Sequence, residues 1–209
     1  MDFKKAIFFC SIFLLSYNVS GQTISDLWLS MPTEKTAYLT SKQKSELIEN
    51  YNSKIENKVI NNLQGVTSID SLSTNYGHFK LSSTKDLYLK ILPYNENDNI
   101  ILFIESYKSP EIHSVLKFYN LNWERISTDD KLKPLTVSDF VIHPDTLSEE
   151  EYNKLCYQIS PVLFKYSFNP ISDELEISLS LTLLSDDEIN HLKHLIFKQK
   201  LKWNGKTFN

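Results

Sequence analysis

Between Phe79 and Trp123 the apolar residues recur at every second position, and the segments separating these runs are too short to hold a helix. Phe79 and Leu81 alternate with polar neighbours, and after a polar turn so do Leu87, Leu89 and Ile91. Asn95-Glu96-Asn97-Asp98-Asn99 then reads as a hairpin turn into Ile101-Leu102-Phe103-Ile104, a run broken by Lys108-Ser109-Pro110. Val115, Lys117, Tyr119, Leu121 and Trp123 follow on one face, with Leu116 and Phe118 on the other. Period two is the signature of a strand. Parallel neighbours need a crossover of a dozen or more residues, so these runs form an antiparallel meander.

Helical spacing brackets the meander. Ile24, Leu27, Trp28 and Met31 share one helix face ahead of Pro32. Thr40 and Gln43 fit a capping box, and Leu47, Ile48, Tyr51, Ile55 and Val59 carry an apolar stripe toward a stop at Gly65. Residues 127–146 are a polar connection with Pro134 and Pro144, which places a subdomain break near 127–147. Beyond it, Ser148 and Glu151 cap a helix stapled by Leu147 and Tyr152, with Tyr152, Leu155, Cys156 and Ile159 on one face.

Val162, Phe164, Tyr166 and Phe168 give a strand. So do Leu175, Ile177, Leu179, Leu181 and Leu183, which alternate with polar residues. Ser185 and Glu188 cap a last helix, stapled by Leu184 and Ile189, and Asn204-Gly205 marks a closing hairpin. The order αα-ββββ-α-ββ-α-ββ predicts an α+β fold of antiparallel sheets with helices packed on one face. The likeness of Leu121-Asn-Trp-Glu-Arg to Leu201-Lys-Trp-Asn-Gly leaves room for two α/β subdomains of similar architecture.

Residues 1–21 read as a secretory signal peptide. Lys4 and Lys5 supply the positive end, residues 6–17 an uncharged apolar run, and Val19-Ser20-Gly21 the small residues before cleavage ahead of Gln22. The run is shorter than the roughly 20 residues a transmembrane helix needs. Cys10 lies inside the apolar run rather than after it, which argues against lipidation. Cleavage would leave Cys156 as the single cysteine of a domain spanning residues 22–209, folded without an internal disulfide.

Removing Lys4, Lys5 and Asp2 from 22 basic and 26 acidic residues leaves a formal charge of −5. A mildly acidic chain with no basic run argues against nucleic acid as a partner. No second apolar stretch is long enough to insert in a bilayer, so the exported chain is expected to be soluble.

No pattern of catalytic, cofactor-binding or metal-ligating residues outweighs its structural reading. Gly65, Gly77 and Gly205 are far apart, whereas phosphate loops need clustered glycines. Cys156, on the apolar face of its helix, is expected to be a buried, inert thiol. Glu188, His191 and His194 step by three along the last helix and so diverge toward solvent instead of converging on a metal. Glu149-Glu150-Glu151 and Asp186-Asp187-Glu188 sit in first helical turns, where negative charge complements the helix dipole. The 95–99 segment lacks the glycine and distal glutamate of a calcium loop. His143-Pro144-Asp145 matches the tripeptide of J-domain co-chaperones, but the preceding segment, Leu135 to Ile142, has no basic residue and no helical stripe, so the proline is expected only to shape a turn.

Several segments are shared with a known family. Gln22-Thr23-Ile24-Ser25-Asp26-Leu27-Trp28, Met31-Pro32 and Tyr38-Leu39-Thr40 are the first of them. Phe118-Tyr119-Asn120-Leu121-Asn122-Trp123-Glu124 and Trp203-Asn204-Gly205-Lys206-Thr207-Phe208 complete the set. On these the chain resembles an exported Bacteroidales family, domain of unknown function 3256. The resemblance implies the periplasm or cell surface of a Gram-negative bacterium and brings no activity, cofactor or site residue.

The reading that results is an exported, non-enzymatic binding module of the cell envelope, with an unknown protein, peptide or glycan partner met through its sheet or an aromatic surface. A hydrolase assembled from residues distant in sequence, and a structural component of an envelope complex, are the alternatives.

Overall fold

The computed structural model describes residues 21–96, 98–108, 113–159, 161–181 and 184–209. The expected signal peptide, with Cys10, lies outside them up to residue 20, as do Asn97, Ser109, Pro110, Thr182 and Leu183.

The chain opens with two helices, α1 (Ile24–Ser30) and α2 (Ser41–Asn52). Thr23 caps α1 reciprocally with Asp26, and Thr40 caps α2 reciprocally with Gln43. α2 is shorter than its apolar stripe predicts. Lys54 takes a left-handed φ of 56° and turns the chain, leaving Ile55 exposed and Val59 in a strand.

Seven strands then follow in strict sequence order: β1 (Lys58–Ile60), β2 (Val66–Leu72), β3 (Tyr76–Lys80), β4 (Lys85–Tyr94), β5 (Asp98–Tyr107), β6 (His113–Asn120) and β7 (Arg125–Ile126). Every neighbouring pair is antiparallel, as the short connections require. Helix α3 (Glu149–Gln158), the hairpin β8 (Leu163–Asn169) and β9 (Glu174–Ser180), helix α4 (Asp186–Leu192) and β10 (Gln199–Lys202) complete the chain. The last three strands form a second sheet in the order β10-β9-β8.

The large sheet is buried on two sides. On one, Phe79, Leu87, Leu89, Ile91, Ile101 and Phe103 pack with Ile24, Leu27, Trp28 and Leu47 of the two helices. Trp28 and Phe79 stack with centroids 4.1 Å apart. On the other, Leu92, Ile100, Leu102, Ile104, Leu116 and Phe118 meet Phe140, Phe168, Leu175, Ile177 and Phe208. This explains the unbroken apolar run in β5, whose residues Ile100–Ile104 are buried whichever way they point. Each such side chain contributes about 1.5–3 kcal/mol on burial.

The second sheet is the layer that the sequence pattern did not assign to this face. It covers only the half of the large sheet toward Tyr94 and Asp98, where the apolar residues lie. The chain does turn back at Asn204-Gly205, with Gly205 at a φ of 93°, but the loop takes in Lys206 and Thr207 as well, so Trp203 lies opposite Phe208 and the return arm is a single bridge. The Trp203 indole donates to the Pro93 carbonyl at 2.6 Å, and Asn95 N–H to the Gly205 carbonyl at 3.1 Å. These two bonds tie the turn to the tip of the β4–β5 hairpin.

Candidate functional site

Toward the other end of the same face, beyond the second sheet's apolar contacts, the large sheet carries an ordered and mostly enclosed polar cluster, with Asp86, Ser106 and Ser114 buried and the His78 side chain 13% exposed. It is made by register. His78 on β3 lies opposite Tyr88 on β4, Lys80 opposite Asp86, and Asp86 opposite Ser106, which in turn faces Ser114. A β-bulge between Ile69 and Ser71 inserts Asp70 as an extra residue beside His78. Bulges re-aim side chains in this way.

His78 Nδ1 is 3.1 Å from the Asp70 carboxylate, and Nε2 is 3.5 Å from that of Asp86. The ring stacks on Tyr88 at 4.2 Å between centroids. Lys80 is paired with Asp70, and Lys108 reaches Asp86 at 2.8 Å. Hydrogen bonding from Lys80 holds the Asp70 carboxyl below the ordinary aspartate range, and the same bond raises Lys80. Burial, then the nearby Asp86 charge, pushes the Tyr88 phenol up to about 12. Ser106 and Ser114 hydroxyls bond each other at 2.7 Å.

The same end of the sheet is polar on its helix-covered side. Glu105, buried, lies 2.6 Å from Lys85 and 3.2 Å from Lys117. Burial would raise its carboxyl, but the two lysines together hold it below the ordinary value. Tyr38, whose buried hydroxyl has no hydrogen-bond partner among the described residues, is pushed up to about 12 by burial.

Among the described residues no hydroxyl or thiol is hydrogen-bonded to His78, so the nucleophile–base pairing of a triad is missing. No group of three or more His, Cys, Asp or Glu side chains among them is placed to hold a metal. A cleft of about 420 Å³ sits at the opposite end of the β4–β5 hairpin, with Tyr94, Asp98, Asn99, Ile100, Asn120 and Asn122 in its lining.

The residues singled out in the sequence do not converge. Cys156 is half-buried against the second core instead of fully enclosed. The helix face it shares is largely half-buried because α3 lies at the rim of that core. Glu188 is engaged in capping α4 with Ser185, whose hydrogen bonds lower its carboxyl. His194 falls beyond the end of the helix, so the spacing of three does not continue to it. His143 stacks on Tyr152 at 4.3 Å, and Pro144 accepts from Leu147 N–H in the turn before α3. His78, Asp70 and Asp86 were not singled out. Their one sequence signal is polarity on strands otherwise apolar, and only register brings them together.

A family model of proteins of unknown function, DUF3256, matches residues 16–208. The chain belongs to this family. The fold is similar to the solved structure of a domain of an uncharacterized protein from Porphyromonas gingivalis W83, with a TM-score of 0.75 at 19% identity. That likeness covers 89% of this chain and 96% of the other. No curated protein matches. Among the described residues no helix is long and apolar enough to cross a membrane.

Proposed function

We propose that the protein is an exported binding module of the cell envelope, and that its recognition surface is the β1–β2 edge of the large sheet, beside the polar cluster around His78. The observation that carries this is the exposed apolar β1–β2 edge of that face, which lies beside the enclosed polar cluster. Asp70 is held by His78 and Lys80, and Asp86 by Lys108, while His78 Nε2 and Asp86 Oδ1 have no hydrogen-bond partner among the described residues. The pairs that exist are pre-organised, which lowers the cost of binding. Beside them Ile60 and Val66, directly paired across β1 and β2, are 56% and 46% exposed. A polar network next to an apolar pair is the make-up of a protein or peptide interface. A histidine that is mostly enclosed, with no hydroxyl or thiol hydrogen-bonded to it among the described residues, supports binding over hydrolysis.

Photo-cross-linking in cells of a Bacteroidales host tests the reading. A photoreactive residue replacing Ser68, beside the exposed Ile60–Val66 pair, is expected to give a discrete adduct in the envelope fraction, whereas one replacing Glu46 on α2 gives none. Equal labelling from both positions, or recovery of the protein in the cytoplasm with residues 1–21 intact, overturns it.

A further inference from the structure

The cleft at the far end of the β4–β5 hairpin lies about 26 Å from Asp86, eight residues along β4 at ~3.3 Å each, and is separate from the edge proposed above. At about 420 Å³ it falls in the range of small-molecule sites, roughly 300–1,000 Å³. We infer that it binds a neutral saccharide of one or two rings.

The lining chooses the ligand. Asn99 and Asn122 each offer an amide donor and an acceptor, and Asp98 offers acceptors beside them. Alternating donors and acceptors suit vicinal hydroxyls, each of which gives one hydrogen bond and takes another. Ile100 and Ile126, from the second core, and Leu121, from the helix-side core, add apolar lining, and Tyr94, with Lys131 4.0 Å from its ring centroid, leaves its other ring face for the C–H face of a sugar ring. Asp98 is the single charged liner, which disfavours phosphates, uronic acids and nucleotides.

The walls are held by residues that do not need the ligand. Asn120 accepts from Asn122 and Glu124 N–H at 3.0 and 2.9 Å and donates to the Glu124 carboxylate, so its amide is spent on the turn. Trp123, in the left-handed region at a φ of 66°, anchors that turn by burying its ring against Phe103. Lys131 donates to the Tyr94 hydroxyl at 2.9 Å and fixes the aromatic wall from behind. The cleft along residues 51–58, by contrast, is built from one continuous segment. Its Asn57 amide bonds Ile69, and its Lys58 pairs with Glu56.

The test is titration of the isotope-labelled protein, followed by amide NMR, with glucose, galactose, mannose, N-acetylglucosamine, maltose, cellobiose and lactose in turn. At least one is expected to give saturable shifts centred on Asn99 and Asn122, with micromolar to millimolar affinity. Asn99→Ala with Asn122→Ala should weaken it at least tenfold in a protein whose spectrum stays dispersed, and Tyr94→Phe, which keeps the ring, should bind nearly as the parent does. Absence of shifts with every sugar overturns the inference, as does binding unchanged in the double variant. Tighter binding of glucuronate than of glucose overturns it too. None of these outcomes touches cross-linking from Ser68, so the two readings fail separately.

Discussion

Lys90, buried within the large sheet, places its ammonium 2.8 Å from the Asp173 carboxylate in the turn between β8 and β9. The pair spans the two sheets, with Lys90 almost fully enclosed and Asp173 half exposed. Removing the acid strands a buried cation, whereas replacing the lysine removes the need for a partner. Asp173→Ala is therefore expected to lower stability by about 1–3 kcal/mol, discounted for the exposure of the aspartate, and Lys90→Met to change it by less. Urea denaturation of both variants checks the asymmetry.

Gly77 on β3 has no room for a side chain. A Cβ there would lie 2.7 Å from the Phe79 ring and 2.8 Å from Ile24. Neither neighbour gives way easily, because Phe79 is stacked on Trp28 and Ile24 is fully buried. Gly77→Ala should cost about 1–3 kcal/mol, read as a lowered thermal midpoint.

Glu105 makes the fold acid-sensitive in a way that two substitutions reverse. Its carboxyl is resisted by burial but held below the ordinary 4.5 by Lys85 and Lys117. A group depressed in the folded state stabilises above its unfolded value and loses that contribution as pH falls through the folded one. Stability should therefore drop as pH is lowered below about 4.5. In Lys85→Met with Lys117→Met, burial acts alone and raises the carboxyl. Protonation at Glu105 then favours the fold, and the local slope of urea midpoint against pH changes sign.

Trp203→Phe removes the indole hydrogen bond to Pro93 and keeps an aromatic ring against Phe118 and Phe208. A loss of about 1 kcal/mol is expected. Hydrogen exchange at the Asn95 amide, which bonds Gly205 next to that turn, should accelerate more than exchange in the centre of β5.

The elements that were legible in the sequence are those specified locally. Ser148 with Glu151 and Ser185 with Glu188 form the capping boxes their spacing predicts, and Asn204-Gly205 makes its turn. β1 and β2 escaped notice for equally local reasons. β1 has three residues, and the bulge at Asp70 spaces Val66, Ile69 and Leu72 by three, which hides the period of two. The polar cluster was illegible because Asp70, His78 and Asp86 are eight residues apart and become neighbours only through a three-strand register. The cleft is likewise assembled from strand ends at residues 94–100 and 120–126.

The double burial of β5 makes it a party wall, owned by both cores and dispensable to neither. A chain stopped after Ile126 would retain the helix-covered side and leave Leu92, Ile100, Leu102, Ile104, Leu116 and Phe118 facing water. Such a continuous apolar strip is a nucleus for aggregation. Any nick or frameshift downstream is thus converted from a missing half into a sticky surface on the remaining one. The two halves of this architecture stand or fall together.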